Sequence, residues 1–100
     1  TDLIPQTLEK EKLFRKLLDH PLIKEIRGKG LMLAPIMESK EVADYLILEA
    51  AKQGLILFWL LFEPKAVRIS PPLTISMKEI EEGCDQILSI LNSYKPSTVN

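Results

Sequence analysis

Eight apolar residues follow one another without interruption at positions 55–62, between Gly54 and the pair Glu63-Pro64. This run is far shorter than the ~20 residues that a membrane-spanning helix needs. Its glycine and proline boundaries favour a strand over a buried helix. Because a strand without polar alternation is typically covered on both faces, we expect residues 55–62 to be buried within a sheet. Part of the run could instead be a surface that another domain covers, since so small a sheet can hardly bury eight apolar residues.

Helical periodicity appears in two segments that precede this run. Apolar residues recur at helical spacing over residues 8–18, and Pro21 disfavours helical geometry just beyond them. A second helix is predicted from about residue 40 to residue 53, with Ser39 as its N-cap and Gly54 as its C-terminal stop. Both helices are amphipathic, so each has one face to bury.

The clearest helix start lies late in the chain. Ser76 is followed three residues later by Glu79, which is the pattern of a capping box. The helix that follows has Cys84 on its apolar stripe and is predicted to end near Tyr94. Residues 95–100 are polar and are predicted to form a loose tail.

Strand patterns account for two further segments. Residues 22–27 and 31–37 are predicted to be strands on either side of a Gly28-Lys29-Gly30 turn, where glycine supplies freedom in φ. Pro35 lies in the second strand and cannot donate a ladder hydrogen bond. We therefore expect an edge position or a bulge at Pro35.

The end of the apolar run leads into a last strand. Residues 63–66 are predicted to turn the chain, and residues 67–70 to return as a strand that Pro71-Pro72 ends. The order helix, two strands, helix, two strands, helix lacks the regular alternation of a doubly wound parallel sheet. We predict an α+β fold with a small, mostly antiparallel sheet and helices packed on it.

Size and charge limit the function classes. One hundred residues with 46% apolar content suit a single domain over residues 1–100. A formal charge of -1, with no basic stripe, argues against a nucleic-acid partner. One cysteine and one histidine supply neither an internal disulfide nor a zinc ligand set, so no metal is expected. The chain starts at Thr1 without a basic, apolar leader or a membrane span, and we expect a cytoplasmic protein.

Arg68 is the residue best suited to bind a ligand. Strand alternation places Val67 and Ile69 on one face and Arg68 and Ser70 on the other. A guanidinium on a rigid strand matches a carboxylate with two parallel hydrogen bonds, which suits an amino-acid or oxo-acid substrate. From the pattern alone, however, a solvated or ion-paired strand arginine is favoured over a ligand-binding one.

Other reactive residue types lack partners in the sequence. The Arg27-Gly28-Lys29-Gly30 string lacks the spacing of a phosphate-binding loop. His20 has no nucleophile placed beside it by sequence and is interpreted as a helix-end residue. Cys84 falls on a buried stripe and is expected to be unreactive. We therefore predict no catalytic residue in this chain.

Two strings carry a resemblance to a known family: Arg27-Gly28-Lys29-Gly30-Leu31-Met32-Leu33 and Val67-Arg68-Ile69-Ser70-Pro71-Pro72-Leu73-Thr74-Ile75-Ser76. With a Gly54-Leu55-Ile56 step between them, the chain resembles the C-terminal small domain of a class III pyridoxal-phosphate aminotransferase of the acetylornithine, ornithine or 4-aminobutyrate type. It departs from the family at Ala34-Pro35-Ile36-Met37 and at Pro64, which leaves the strand pairing open there.

The resemblance implies that this chain is part of a longer protein, called the parent below, with a fold-type I transferase architecture. In such a parent a large domain would hold pyridoxal phosphate, and none is expected in this fragment. Arg68 would bind a substrate carboxylate or pair with a glutamate of the large domain. The resemblance also implies a homodimer, amino-acid and 2-oxo-acid substrates, and closure of the active site by this domain. The fragment alone should have no transaminase activity.

Two functions from other classes remain open. One is a free-standing small-molecule-binding or regulatory α+β module, which needs no missing partner. The other is a purely structural dimerisation domain, which would need nothing from Arg68. The apolar run and the start at Thr1 argue against the free-standing module, and the role of Arg68 separates the three hypotheses.

Overall fold

The computed structural model describes residues 3–60, 63–72 and 74–96. It contains three helices and four strands in these residues, in the predicted order. They are α1 (Leu3–Leu17), β1 (Ile23–Lys29), β2 (Met32–Met37), α2 (Lys40–Lys52), β3 (Phe58–Leu60), β4 (Glu63–Arg68) and α3 (Met77–Ser93). The predicted helix over residues 8–18 is confirmed, but it begins earlier, at Leu3. Pro5 is compatible with this earlier start, because proline is tolerated in a first turn whose N–H groups have no helical partner.

The four strands form one antiparallel sheet in the order β1-β2-β4-β3. Side chains of all three helices join the strands in one apolar cluster, which includes Leu33 of β2 and Val67 and Ile69 of β4. Ile36 and Ala66 are buried outside that cluster, on the opposite face of the sheet. The predicted α+β class with a small antiparallel sheet is confirmed.

Local signals placed the helix ends correctly. Ser39 caps α2 and accepts a hydrogen bond from the Val42 N–H at 3.3 Å. Gly54 follows α2 with a φ of 85°, a conformation that favours glycine. At α3 the capping box is complete: the Glu79 N–H donates to Ser76 Oγ at 3.0 Å, and the Ser76 N–H donates to Glu79 Oε1 at 2.9 Å.

The β1–β2 hairpin is held by α1. Its turn lies at Gly30 and Leu31, slightly later than predicted. The Gly30 N–H donates to Glu11 Oε1 at 2.7 Å. Arg15 donates to the carbonyl oxygens of Ile26 and Gly28 at 2.8 and 2.6 Å, and its Nε lies 2.9 Å from Glu11 Oε2. One helix face therefore fixes the position of the hairpin.

Pro35 does not lie at an edge, so that part of the prediction is wrong. β2 is an interior strand between β1 and β4. The bridges between β2 and β4 are Leu33 with Ile69 and Ile36 with Ala66, on either side of Pro35. A register shift does occur nearby, but on β1, between Ile23 and Glu25. The sheet tolerates the missing donor because flanking residues carry the pairing.

The apolar run is not a strand covered on both faces, which corrects the prediction. Among residues 55–60, which the structure describes, only Phe58–Leu60 forms a strand, and this strand lies at the edge of the sheet. Ile56 is 61% exposed and Trp59 is 50% exposed. The end of the run, residues 61 and 62, lies outside the described residues. Residues 63–66 were predicted as a turn, but Glu63 already begins β4, because this segment pairs with β3.

The last residues of the chain are described only in part. Lys95 and Pro96 are exposed and follow the C-cap residue Tyr94 of α3. The rest of the predicted loose tail, residues 97–100, lies outside the described residues. None of the helices in the described part of the chain has both the length and the apolar character that crossing a bilayer requires.

Candidate carboxylate site

Arg68 is the last residue of β4, on the face of the sheet that points away from the main core. Its neighbours Val67 and Ile69 are buried in the core cluster, whereas Arg68 is half-buried and Ser70 is exposed. The alternation predicted from the sequence is confirmed. The backbone of Arg68 therefore belongs to a sheet strand, and its side chain lies on the partly exposed face of the sheet.

The guanidinium of Arg68 lies over an aromatic ring. Phe58 of β3 lies directly across from Arg68 in the antiparallel register. The Arg68 Cζ atom is 4.9 Å from the centre of the Phe58 ring, within the range of a cation–π interaction. The sequence analysis did not predict this contact, since it assigned Phe58 to the core. The aromatic residue was visible in the sequence, but the register that brings it to Arg68 was not.

Arg68 has hydrogen-bond donors that are not used. Its Nε atom is buried and has no hydrogen-bond partner. Across residues 3–60, 63–72 and 74–96, Arg68 forms no ion pair with a carboxylate. A buried donor without a partner costs free energy, and a charged one costs more. Within the described residues, the Arg68 guanidinium is therefore a half-buried cation without a carboxylate partner.

The chain after Arg68 is held on both sides. Ile69 exchanges two backbone hydrogen bonds with Leu33, at 2.8 and 3.2 Å. Beyond it, the Ile75 N–H donates to the Pro72 carbonyl at 3.0 Å, which closes a turn before α3. Pro71 and Pro72 form a corner between the strand end and α3, with φ fixed by their rings, and Leu73 lies outside the described residues. The corner limits the movement of the strand end that carries Arg68.

An apolar groove of about 250 Å³ lies beside this corner, on the helix side of the sheet. Arg68 does not line it, and its walls carry few polar atoms. The groove is therefore distinct from the candidate carboxylate site. Its lining includes residues from the segment before β3, the corner and α3, among them Ile56, Ile69, Pro71, Pro72, Glu79 and Gly83.

The other reactive residues take structural positions. The His20 ring accepts a hydrogen bond from the Leu22 N–H at Nδ1, so Nε2 carries the hydrogen donated to Asn92 Oδ1 at 2.8 Å. Cys84 is fully buried, and burial raises the pKa of its thiol to about 12. Arg27 lies at the hairpin and pairs with Glu25 at 2.6 Å and with Glu63 at 3.8 Å. No group of potential metal ligands occurs within the described part of the chain.

The lysines of this chain do not fit covalent attachment of pyridoxal phosphate. None of the ten is buried. A nucleophilic lysine needs a lowered pKa, which comes from desolvation or a neighbouring cation. At Lys52 the pKa is raised rather than lowered, because Glu49 accepts a hydrogen bond from its ammonium group. Within the described residues, the lysines thus lack the burial that would lower a side-chain pKa and expose a nucleophilic amine.

Comparison with known proteins places these features in a family. A family model described as aminotransferase class-III matches residues 2–91. The acetylornithine aminotransferase of Vibrio parahaemolyticus is 37% identical over 89 residues, which cover 82% of this chain and 22% of that protein. Ornithine aminotransferase 2 of Staphylococcus saprophyticus is 34% identical over 92 residues, which cover 89% of this chain and 22% of that protein.

A solved structure agrees with these matches. The lysine aminotransferase from M. tuberculosis superposes with a TM-score of 0.78 at 28% identity, over 90% of this chain and 22% of that one. The chain thus spans about a fifth of the length of the curated relatives that it matches.

Proposed function

The chain belongs to the class III aminotransferase family, and on that premise we propose that it is the C-terminal small domain, residues 1–100, of a pyridoxal-phosphate-dependent transaminase. The parent would transfer an amino group from an amino acid to a 2-oxo acid. The cofactor, held by the large domain, would supply the electron sink for that transfer. This chain would supply Arg68 and help to close the active site.

The observation that carries the proposal is the state of Arg68. A half-buried guanidinium has a donor without a partner and no carboxylate to pair with in the described residues. Amino acids and 2-oxo acids share a carboxylate, which is the anion that a planar guanidinium binds most specifically. When no substrate carboxylate is present, a glutamate of the large domain would pair with Arg68. A cytoplasmic location and homodimer formation belong to the same proposal and are supported by the family resemblance.

Substitution of Arg68 in the parent tests the proposal. We expect Arg68→Ala to lower kcat/KM for carboxylate substrates. The corresponding loss of transition-state stabilisation should be about 1.5–3 kcal/mol, which is the contribution of a charged hydrogen bond. Arg68→Lys retains the charge but loses the planar fork, so it should recover only part of this loss. Steady-state kinetics with several amino donors and 2-oxo acids provide the measurement.

A matched control removes another cation of the same strand. Lys65 of β4 is exposed, so Lys65→Ala should leave kcat/KM unchanged within a factor of about 2. An Arg68→Ala parent with the same kcat/KM as the wild type, for every carboxylate substrate tried, would refute the assigned role of Arg68.

A further inference from the structure

We propose that Phe58 is a positioning residue for Arg68, because its ring fixes the plane of the guanidinium that receives the substrate carboxylate. The proposal rests on the function proposed above, since it concerns the same site. It adds a specificity determinant that lies on a different strand from the arginine. Phe58 contacts the guanidinium and acts on the substrate through it.

The register makes the contact between these residues direct. Phe58 and Arg68 are cross-strand neighbours of β3 and β4, on one face of the sheet. Cross-strand pairs have their Cβ atoms about 4.5–5.5 Å apart, so an aromatic ring and a long side chain readily meet. The observed distance of 4.9 Å between Arg68 Cζ and the centre of the Phe58 ring shows that the two side chains are in contact. Two paired backbones therefore hold the aromatic platform in place.

The contact with the Phe58 ring restricts the orientation of the Arg68 guanidinium, which the strand backbone alone does not do. An arginine side chain is long and flexible, and two-point binding of a carboxylate needs its guanidinium plane in one orientation. No hydrogen bond to Nε supplies that orientation, because Nε has no partner. A ring against one face of the guanidinium restricts the plane and leaves the N–H groups at the edge for an anion. The ring thus reduces the ordering cost of binding.

Phe58 contributes little to the packing of the main core. Its side chain is 44% exposed and does not belong to the main core cluster. Its neighbour Trp59 has similar exposure, 50%, but lies on the opposite face, where its Nε1 donates to Asp44 of α2 at 2.8 Å. The edge strand thus carries two exposed aromatic residues, of which one touches the arginine. Trp59 is therefore a matched control for Phe58.

The test uses the full-length parent with Phe58→Leu, Phe58→Tyr and Trp59→Leu. Leucine retains apolar bulk but removes the π face, and tyrosine restores that face. We expect Phe58→Leu to raise KM for the carboxylate substrate about 3- to 10-fold, with kcat changed by less than about 2-fold. Calorimetric titration with glutarate, a dicarboxylate that cannot donate an amino group, should show the same rise in Kd. Phe58→Tyr should bind like the wild type, and Trp59→Leu should leave both constants unchanged.

A double-mutant cycle separates positioning from general stability. In an Arg68→Ala background, Phe58→Leu should have no further effect on KM or on the Kd for glutarate. An equal effect with and without Arg68 would overturn the proposal, as would equal losses in Phe58→Leu and Trp59→Leu. If Arg68→Ala weakens carboxylate binding but Phe58→Leu does not, this inference fails and the proposed function stands. If Arg68→Ala has no effect, both fail.

Discussion

Cys84 shows at the residue scale how position decides chemistry. Its side chain is fully buried on the core stripe of α3. Burial raises the pKa of the thiol to about 12, because the thiolate would lose its hydration. The reactive form is therefore absent from the folded chain at neutral pH, and the cysteine acts as a small apolar residue.

We accordingly predict that Cys84 does not react with a thiol reagent in the folded 100-residue chain. At pH 8, dithiobis(nitrobenzoate) should release almost no coloured thionitrobenzoate from the folded chain. After guanidinium is added, it should release one equivalent per chain, since the chain has one cysteine. The folded state favours the protonated thiol, so this contribution to stability is complete below pH 9 and is lost as the pH rises toward 12. Rapid labelling without denaturant would show that α3 does not pack as described.

The candidate site was predictable only in part at this scale. Alternation along one strand was enough to place Arg68 away from the core, because that depends on the strand's own sequence. The contact with Phe58 depends on the register between β3 and β4, and neither strand encodes it alone. The unpaired Nε of Arg68 was not predictable either, since it reflects what is absent around the side chain.

At the scale of elements, the start of α3 offers a pH-dependent test. The Ser76 N–H donates to the Glu79 carboxylate, and this hydrogen bond lowers the pKa of Glu79 below 4.5. A lowered pKa gives stability that is present above pH 4.5 and is lost as the pH falls through the folded-state value. In Glu79→Gln, the melting temperature should therefore fall less steeply below pH 4.5 than in the wild type.

Thermal unfolding of the 100-residue chain between pH 2.5 and 7 would check this prediction, with the pH as the only variable. Ser76→Ala removes the other half of the capping box and should cost about 1 kcal/mol near neutral pH, where Glu79 is ionised. Exposed Glu82 lies farther along the same helix, so Glu82→Gln is the control for a simple change of charge. If the melting temperatures of Glu79→Gln and the wild type fell equally steeply below pH 4.5, this result would argue against the capping box.

Elements were predictable where their signals are local. Ser39, Gly54 and Ser76 mark helix ends through their own backbone and side-chain geometry, and each lies where the sequence predicted. The apolar run at residues 55–62 gave a wrong prediction of a fully buried strand. Hydrophobicity shows that a segment favours burial, but it does not show which partner buries the segment. Ile56 remains 61% exposed within this chain.

The exposed apolar residues carry a consequence for the whole molecule. Met32 and Ile56 are each more than half exposed. Large exposed apolar side chains are compatible with a surface that another domain covers. The proposed large domain of the parent would cover such surface, which agrees with a chain that spans about a fifth of its relatives.

The native size of the gene product tests this idea. An antibody raised against residues 1–100 should detect a band several times larger than 11.4 kDa in cells that make the protein. The recombinant 100-residue chain on the same blot is the size standard. A native band that migrates with this standard would contradict the excised-domain proposal and favour a free-standing binding module.

The contact between α1 and the β1–β2 hairpin also bears on the order of folding. Arg15 reaches Ile26 across 11 positions of sequence, whereas His20 reaches Asn92 across 72. Closing the longer loop costs about 1.7 kcal/mol more in chain entropy, because that cost grows with the logarithm of loop length. Contacts between near neighbours in sequence also form faster. We therefore expect α1 and the hairpin to associate first, as soon as they leave the ribosome, and α3 to complete the domain when synthesis reaches it.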